Sequence, residues 1–246
     1  MLVALLTDIH GNREALDACL ADARRMGAAR FVFLGDYVGY GADPAYVVDT
    51  VSGMVEEGAV ALLGNHDEAI ASPSETMNPL ARAAIDWTRG RLDAAQGAFL
   101  RTRPLFHQEG ERLFVHASAH APGAWAYVTS PMQAERSMTS TDCRVTFCGH
   151  VHVPALFQMT PGRPASHHDP MPAVAVPLMP DRRWLAVIGA VGQPRDGNPA
   201  ACYALLDHER STLTYVRVRY DIDAAAQKIV KAGLPPALAA RLYRGV

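Results

Sequence analysis

Three short apolar runs, MLVALL at the start, RFVFL at 30–34 and AVALL at 59–63, alternate with segments of helical periodicity. That alternation calls for βαβ units on a largely parallel sheet, because parallel neighbours need a crossover long enough to hold a helix. Residues 13–26 place Leu16, Leu20 and Ala23 on one helical face, and Pro44 suits the first turn of a helix presenting Tyr46, Val47, Val51 and Val55. A longer helical pattern covers 79–100, with Trp87 and Phe99 as core anchors. Strand-like runs then dominate: RLFVH (112–116), RVTFC (144–148), ALFQM, RRWLAVIG, ACYALLD and TLTYVRVRY, followed by helices over 224–231 and 236–242. A strand-rich second half suggests a second sheet packed on the first. With no internal repeat and no Gly/Ser linker, one domain over 1–246 is expected.

The stretch PGRPASHHDPMPAVAVPLMP, 161–180, departs from this pattern. Its prolines are incompatible with a helix or a central strand, so it reads as an extended surface loop with His167 and His168 solvated. A formal charge of −2 over 246 residues leaves no basic footprint for a nucleic-acid duplex and no polybasic patch for a membrane. An anionic substrate would have to be drawn by a local site. Asp8 interrupts the opening run before a signal peptide or membrane span could be complete, so that run reads as a first strand. Cys19, Cys143, Cys148 and Cys202 lie in apolar contexts without C-x-x-C spacing, as buried thiols of a reducing cytoplasm would.

Polar, metal-capable residues recur where five of the apolar runs stop. The first ends in Thr7-Asp8-Ile9-His10-Gly11-Asn12, the second in Gly35-Asp36, the third in Gly64-Asn65-His66-Asp67, the fourth in His116 and the fifth in Cys148-Gly149-His150-Val151-His152. In open α/β sheets ligands bind beyond the carboxyl ends of the strands, so these clusters should converge in space. If the fifth run continues as a strand, His150 and His152 project to one side around Val151, and Asp8 and His10 repeat the geometry. Nitrogen and oxygen donors without cysteine suit Mn, Fe, Co, Ni or Zn, and their number is more than one ion needs. Taken singly, Asp8 could cap a helix, Asp36 could belong to a turn and His116 could be a core histidine. A pair of ions about 3.5–4 Å apart can turn a bridging water into a hydroxide that attacks phosphorus in line.

Taken in order, DIH (8–10), GDYVGYG (35–41), GNHD (64–67), VHAS (115–118) and GHVH (149–152) resemble the five motifs of the calcineurin-like metallophosphoesterases. The segment AVGQPRDGNPAACYALLD, 190–207, is similar to a downstream segment of the bacterial phosphodiesterase and diadenosine-tetraphosphatase-like branch. The resemblance implies a four-layer αββα sandwich of two mixed sheets flanked by helices. It also implies that Asp8, His10, Asp36 and His152 hold one divalent metal and Asp36, Asn65, His116 and His150 a second, with Asp36 as the bridge. His66 matches the histidine commonly assigned as general acid, with Asp67 in reach to tune it or else at the surface. Protein phosphatases of the superfamily carry Asp-Arg-Gly where this chain has Gly39-Tyr40-Gly41, which favours a phosphodiesterase over a phosphoprotein phosphatase. Ala117, Ala119 and Val151 also replace residues usual in the pattern without removing a ligand.

Arg195 and Arg13 are further candidates, as phosphate-binding arginines at the rim. Arg195 could instead pair structurally with Asp196, Arg13 could face solvent, and His120 could belong to the rim or the surface. The reading is a cytoplasmic two-metal phosphoesterase acting on a small phosphorylated substrate, with phosphomonoesterase or phosphoprotein phosphatase as the alternative. A scaffold that had kept the fold would be expected to have lost ligands. A zinc amide or ester hydrolase would carry His-x-His-x-Asp-His or His-Glu-x-x-His, and neither occurs.

Overall fold

Val3, Ala4, Leu5 and Leu6 are all buried, although successive side chains of a strand point to opposite faces. A strand apolar on both faces must be covered on both, and the architecture of the protein follows from that requirement. The computed structural model describes residues 1–72 and 77–246. Its elements run β1 (Leu2–Leu6), α1 (Arg13–Arg25), β2 (Ala28–Phe33), α2 (Pro44–Glu56), β3 (Val60–Ala61), α3 (Asn65–Ala71), α4 (Pro79–Arg89), α5 (Ala94–Arg101), β4 (Phe106–Glu109) and β5 (Arg112–Val115). After them come α6 (Pro131–Thr139), β6 (Val145–Cys148), β7 (Ala155–Met159), β8 (Ser166–His168), β9 (Ala175–Pro177), β10 (Arg183–Val187), β11 (Ala201–Asp207), β12 (Thr212–Val218), α7 (Ile222–Lys231) and α8 (Pro236–Arg244).

The strands form two six-stranded sheets, ordered β3-β2-β1-β11-β12-β9 and β4-β5-β6-β10-β7-β8. In the first, β1, β2 and β3 are parallel and the remaining three alternate antiparallel. In the second, β5, β6 and β10 are parallel, with antiparallel β4 on one side and β7 and β8 on the other. Val3, Leu5, Val32 and Leu34 face inward and meet Phe114, Phe147, Trp184 and Ala186 in the core between the sheets. Ala4, Leu6 and Phe33 face outward, against Leu16, Cys19, Val47, Val51 and Leu100 of α1, α2 and α5. On the far side Ala134 and Met138 of α6 cover Val115, Phe157, Leu185 and Val187. This is the αββα layering that the family resemblance implied.

Two expectations need correction. The helical pattern over 79–100 divides into α4 and α5, because Gly90 ends the first helix and Asp93 starts the second with a capping box closed by Gln96. Trp87 and Phe99 are partly buried and pack against core clusters on each helix. The Pro-rich stretch is more than a surface loop: it supplies β8 and β9, the outermost strands of the two sheets. Proline is tolerated there because an edge strand leaves one row of N–H groups outside the ladder. Just after β9, Leu178 inserts into the inter-sheet core, so the stretch closes one open side of the sandwich. His167 and His168 are exposed, as anticipated.

Candidate metal centre and active site

The parallel strands β1, β2, β3, β5 and β6 deliver the five clusters to one end of the sandwich, where their loops lace together. Asp8 N–H donates to Gly35 O (3.0 Å), while Ile9 and His10 N–H both donate to Asp36 O (2.8 and 3.0 Å). Gly149 N–H donates to His116 O (2.8 Å), and Val191 and Gly192 N–H donate to Thr7 and Asp8 O (3.0 and 2.8 Å). The last two contacts bring in a sixth segment, the one that follows β10 and carries Gln193 and Arg195, the second of which was expected at the rim.

The ligand pairs converge by a different route from the one the strand pattern suggested. Beyond β1 and β6 the pleat stops, and Asp8, His10, Asp36, Tyr40, His150 and His152 all adopt left-handed backbone, with φ between 50° and 67°. Non-glycine residues pay roughly 1–3 kcal/mol for such conformations, and they gather at functional sites where surrounding structure over-determines them. Val151, between the two histidines, packs instead toward the cluster containing Cys148 and Phe157. Val151→Thr is therefore expected to leave metal content unchanged, as measured by elemental analysis of purified protein.

Glycines let these loops meet. A Cβ on Gly192 would lie 1.8 Å from Ile9 O, and one on Gly149 would lie 2.0 Å from Thr7 Oγ1. Gly192→Ala is expected to cost about 3 kcal/mol by overpacking, visible as a fall in Tm on the order of 10 °C. Asn12 braces the same contact: its side chain caps α1 by accepting from Ala15 N–H (3.1 Å) and donates to Gly192 O (2.9 Å).

Asp8, Asp36, His10, His116 and His152 are almost wholly buried. Asp8, His10 and His152 present atoms within 4.8 Å of one another, as do Asp36, His116 and His150, and a third grouping joins His10, Asp36 and His66. Asp36 Oδ2 lies between the sets, 3.7 Å from His10 Nε2 and 3.4 Å from His116 Nε2, while its Oδ1 accepts from His66 N–H (2.9 Å). Asn65 Oδ1 completes the second set, 3.3 Å from His116 Nε2.

The hydrogen-bond pattern tests whether this donor set fits metal ions. His10, His116 and His152 face the carbonyls of Val38, Leu34 and Gln193 through Nδ1, at 2.9, 2.9 and 2.6 Å. In the neutral ring that fixes the proton on Nδ1 and turns the Nε2 lone pair inward. His10 Nε2 and His152 Nε2 then face each other at 3.1 Å as two acceptors. Asp8 Oδ1, 3.3 Å from His152 Nε2, and His150 Nε2 are buried without a hydrogen-bond partner. Converging lone pairs with no donor between them fit cations. Burial opposes the charged form of Asp36, yet His116 and His66 hold its carboxyl well below the carboxylate range. Burial likewise opposes charge on His116, but Asp36 beside it raises the ring to about 9, so between these two residues a proton can hold the place of a cation. Burial pushes His150 down to about 3.

Of these groups Asp36, Asn65, His150 and His152 form the floor of a cavity of about 390 Å³, lined also by His66, Glu68, Tyr40, Trp125, Tyr127 and Arg195. His66 packs between Tyr40 and His10, with ring centroids 4.7 and 4.8 Å away. Burial lowers its pKa to about 4, with Asp36 pulling the other way. Arg195 lies over the Tyr40 ring (5.6 Å), donates from Nη2 to Gln193 Oε1 (3.0 Å) and keeps a buried Nε without a partner.

The first 211 residues match the calcineurin-like phosphoesterase superfamily domain. The chain belongs to the calcineurin-like phosphoesterases. This phosphoesterase is 33% identical over 250 residues to the uncharacterized protein MJ0912 of Methanocaldococcus jannaschii, covering 99% of this chain and 98% of that one. It superimposes on a metallophosphoesterase from Sphaerobacter thermophilus with a TM-score of 0.89 and 33% identity, over 100% of this chain and 99% of the other. The hypothetical protein PH1004 of Pyrococcus horikoshii shares the fold, with a TM-score of 0.81 at 19% identity over 100% and 98% of the two chains. The protein is a hydrolase of phosphoric esters, and its buried Asp and His residues are arranged to bind metal.

Several sequence expectations for the phosphoesterase change with the geometry. Asp67 is neither at the surface nor beside the His66 ring. Its Oδ2 accepts from Asp36 and Gly64 N–H (2.8 and 3.0 Å) and its Oδ1 from Tyr37 N–H (2.9 Å), so it braces the loop carrying Asp36. Burial, and then Asp36, raise its pKa to about 8. Arg13 turns away from the cavity, stacking over Tyr46 (4.0 Å) and pairing with Asp17 (3.4 Å). Asp196 pairs with Arg217 and not with Arg195. His120 contacts Ser140 and Arg136, outside the lining. Tyr40, Glu68, Trp125 and Tyr127 were missed. Only the GDYVGYG motif could have pointed to Tyr40, and the other three lie outside the motifs' ligand positions.

Proposed function

We propose that the protein is a phosphodiesterase that uses two divalent ions, with Asp8, His10, Asp36 and His152 holding one and Asp36, Asn65, His116 and His150 the other. The observation that carries this reading is Asp36 Oδ2, placed between two sets of inward lone pairs at the cavity floor. The ions would supply positive charge to the phosphoryl oxygens and acidify the attacking water. The N/O donor set suits Mn, Fe, Co, Ni or Zn.

The chain's own residues do the rest. Arg195, whose buried Nε has no partner in the protein, binds a phosphoryl oxygen. His66, at the floor beside Asn65, gives a proton to the departing oxygen once the anionic phosphoryl group offsets the burial that otherwise holds its pKa at about 4. The Asp67 carboxylate holds the Asp36 loop in place through backbone N–H groups.

The preference for a diester rests on one carboxylate of the lining. Among the described lining residues Arg195 is the cation, and Glu68 adds a carboxylate. A diester arrives with one negative charge and a monoester with two, so Glu68 repels the second more strongly. The substrate is small and phosphorylated, and a cytoplasmic setting suits four cysteines buried as free thiols. Among the described residues no helix is long and apolar enough to cross a membrane. The test is hydrolysis of bis(4-nitrophenyl) phosphate against 4-nitrophenyl phosphate with Mn²⁺ added and then chelated. Chelator-sensitive turnover with a higher kcat/KM for the diester supports the reading. Preference for the monoester defeats the diester assignment, and turnover indifferent to chelation defeats the metal mechanism.

A further inference from the structure

The cavity has more room than a phosphoryl group fills, and the part above the metal-capable residues is aromatic. Trp125 and Tyr127 come from the loop between β5 and α6. Tyr127 stacks on His150 with ring centroids 4.2 Å apart and planes 21° from parallel, yet remains 53% exposed, which leaves its second face open. Trp125 meets His116 edge-on at 5.7 Å, and its Nε1–H donates to Glu68 Oε2 (2.8 Å), which fixes the indole plane.

The loop adopts unfavourable backbone to present these rings. Ala121 and Trp125 have φ of 51° and 54° and bracket a single turn of 3₁₀ helix, Pro122–Ala124. An indole half out of the core and a phenol with an open face beside a phosphoryl site form a surface on which a flat ring can stack. Close by, Arg195 lies over Tyr40, so the anionic end of a ligand and its ring would have separate partners.

We propose that Trp125 and Tyr127 are specificity-determining residues that stack a planar ring carried by the ester, so the substrate class is aromatic phosphoesters, with a nucleobase or an aryl group as the ring. This rests on the phosphodiesterase reading for the identity of the site, while the ring preference itself is a property of binding.

The experiment titrates Mn²⁺-loaded protein with two matched pairs: adenosine 5′-monophosphate against ribose 5-phosphate, and phenyl phosphate against cyclohexyl phosphate. Base-on-aromatic stacking predicts that at least one ring-bearing member binds about 5- to 150-fold more tightly than its partner. A preference in the first pair alone identifies a nucleobase, and one in the second alone identifies an aryl group. Trp125→Ala and Tyr127→Ala should each bring the ratio toward one, and Tyr127→Phe should keep it. If the rings merely supported His116 and His150, the alanine variants would weaken all four ligands equally and the ratio would persist, which overturns the proposal. Ratios near one in the unmodified protein overturn it as well. Hydrolysis of bis(4-nitrophenyl) phosphate, followed in parallel, separates the two readings. Chelator-sensitive turnover without a ring preference defeats only the stacking wall, and ring preference without turnover defeats only the phosphodiesterase.

Discussion

Asp36→Asn is expected to abolish binding of at least one divalent ion and to lower kcat for bis(4-nitrophenyl) phosphate on the order of 10²–10³-fold or more. The size follows from geometry. Asp36 Oδ2 lies 3.7 Å from His10 Nε2 and 3.4 Å from His116 Nε2, so it belongs to both sets of acceptors, whereas each histidine belongs mainly to one. Asparagine keeps the shape and an acceptor for His66 N–H but removes the charge shared by both cations. Circular dichroism and the thermal midpoint without metal, compared with the parent protein, separate misfolding from loss of the site. The metal-dependent rise in midpoint should distinguish the proteins: an ion that binds only the folded state stabilises it by about 2.7 kcal/mol at a hundredfold excess over its Kd. That rise should shrink in the variant.

His66→Gln should produce the second large effect, and its size should depend on the leaving group. Loss of a general acid costs typically about 10²–10⁴-fold where the departing oxygen needs a proton. A diester releasing an aliphatic alcohol should therefore lose nearly the whole factor, while one releasing 4-nitrophenolate, stable as an anion, should lose much less. A purely structural role would lower both rates alike. Metal content should be retained, because Asn65, the proposed ligand, and the N–H of residue 66 to Asp36 Oδ1 remain.

The sequence allowed two packed sheets and the convergence of the five clusters to be read because both depend on short-range pattern, whereas the four-layer order came from the family resemblance. Apolar runs mark strands, helical periodicity marks crossovers, and parallel strands bring their carboxyl ends to one edge. The reason for convergence was less legible. His150 and His152 meet the site through two left-handed residues and not through the alternation of a strand, a backbone choice imposed by contacts such as Gly149 against Thr7. Arg13 was misplaced because helical phase at a first turn does not reveal which neighbour, here Tyr46 and Asp17, will take the guanidinium.

Asp67 shows the same limit in another form. A carboxylate next to a candidate acid invites a direct role, whereas its acceptors are spent on backbone N–H groups some thirty residues earlier in the chain. The Pro-rich stretch could not be recognised as two edge strands without knowing that β7 and β12 had open edges to offer. Trp125 and Tyr127 lie in a loop whose path is set by tertiary contacts such as the Trp125–Glu68 hydrogen bond, so nothing local marks them.

The most direct test of the central claim is the number of divalent ions per chain in protein that is actively hydrolysing bis(4-nitrophenyl) phosphate, measured by elemental analysis alongside the same preparation of Asp36→Asn. Two ions per chain in the active protein, with fewer and far slower turnover in the variant, is the predicted result. Full activity in metal-free protein, or a variant equal to the parent in both metal content and rate, would contradict it.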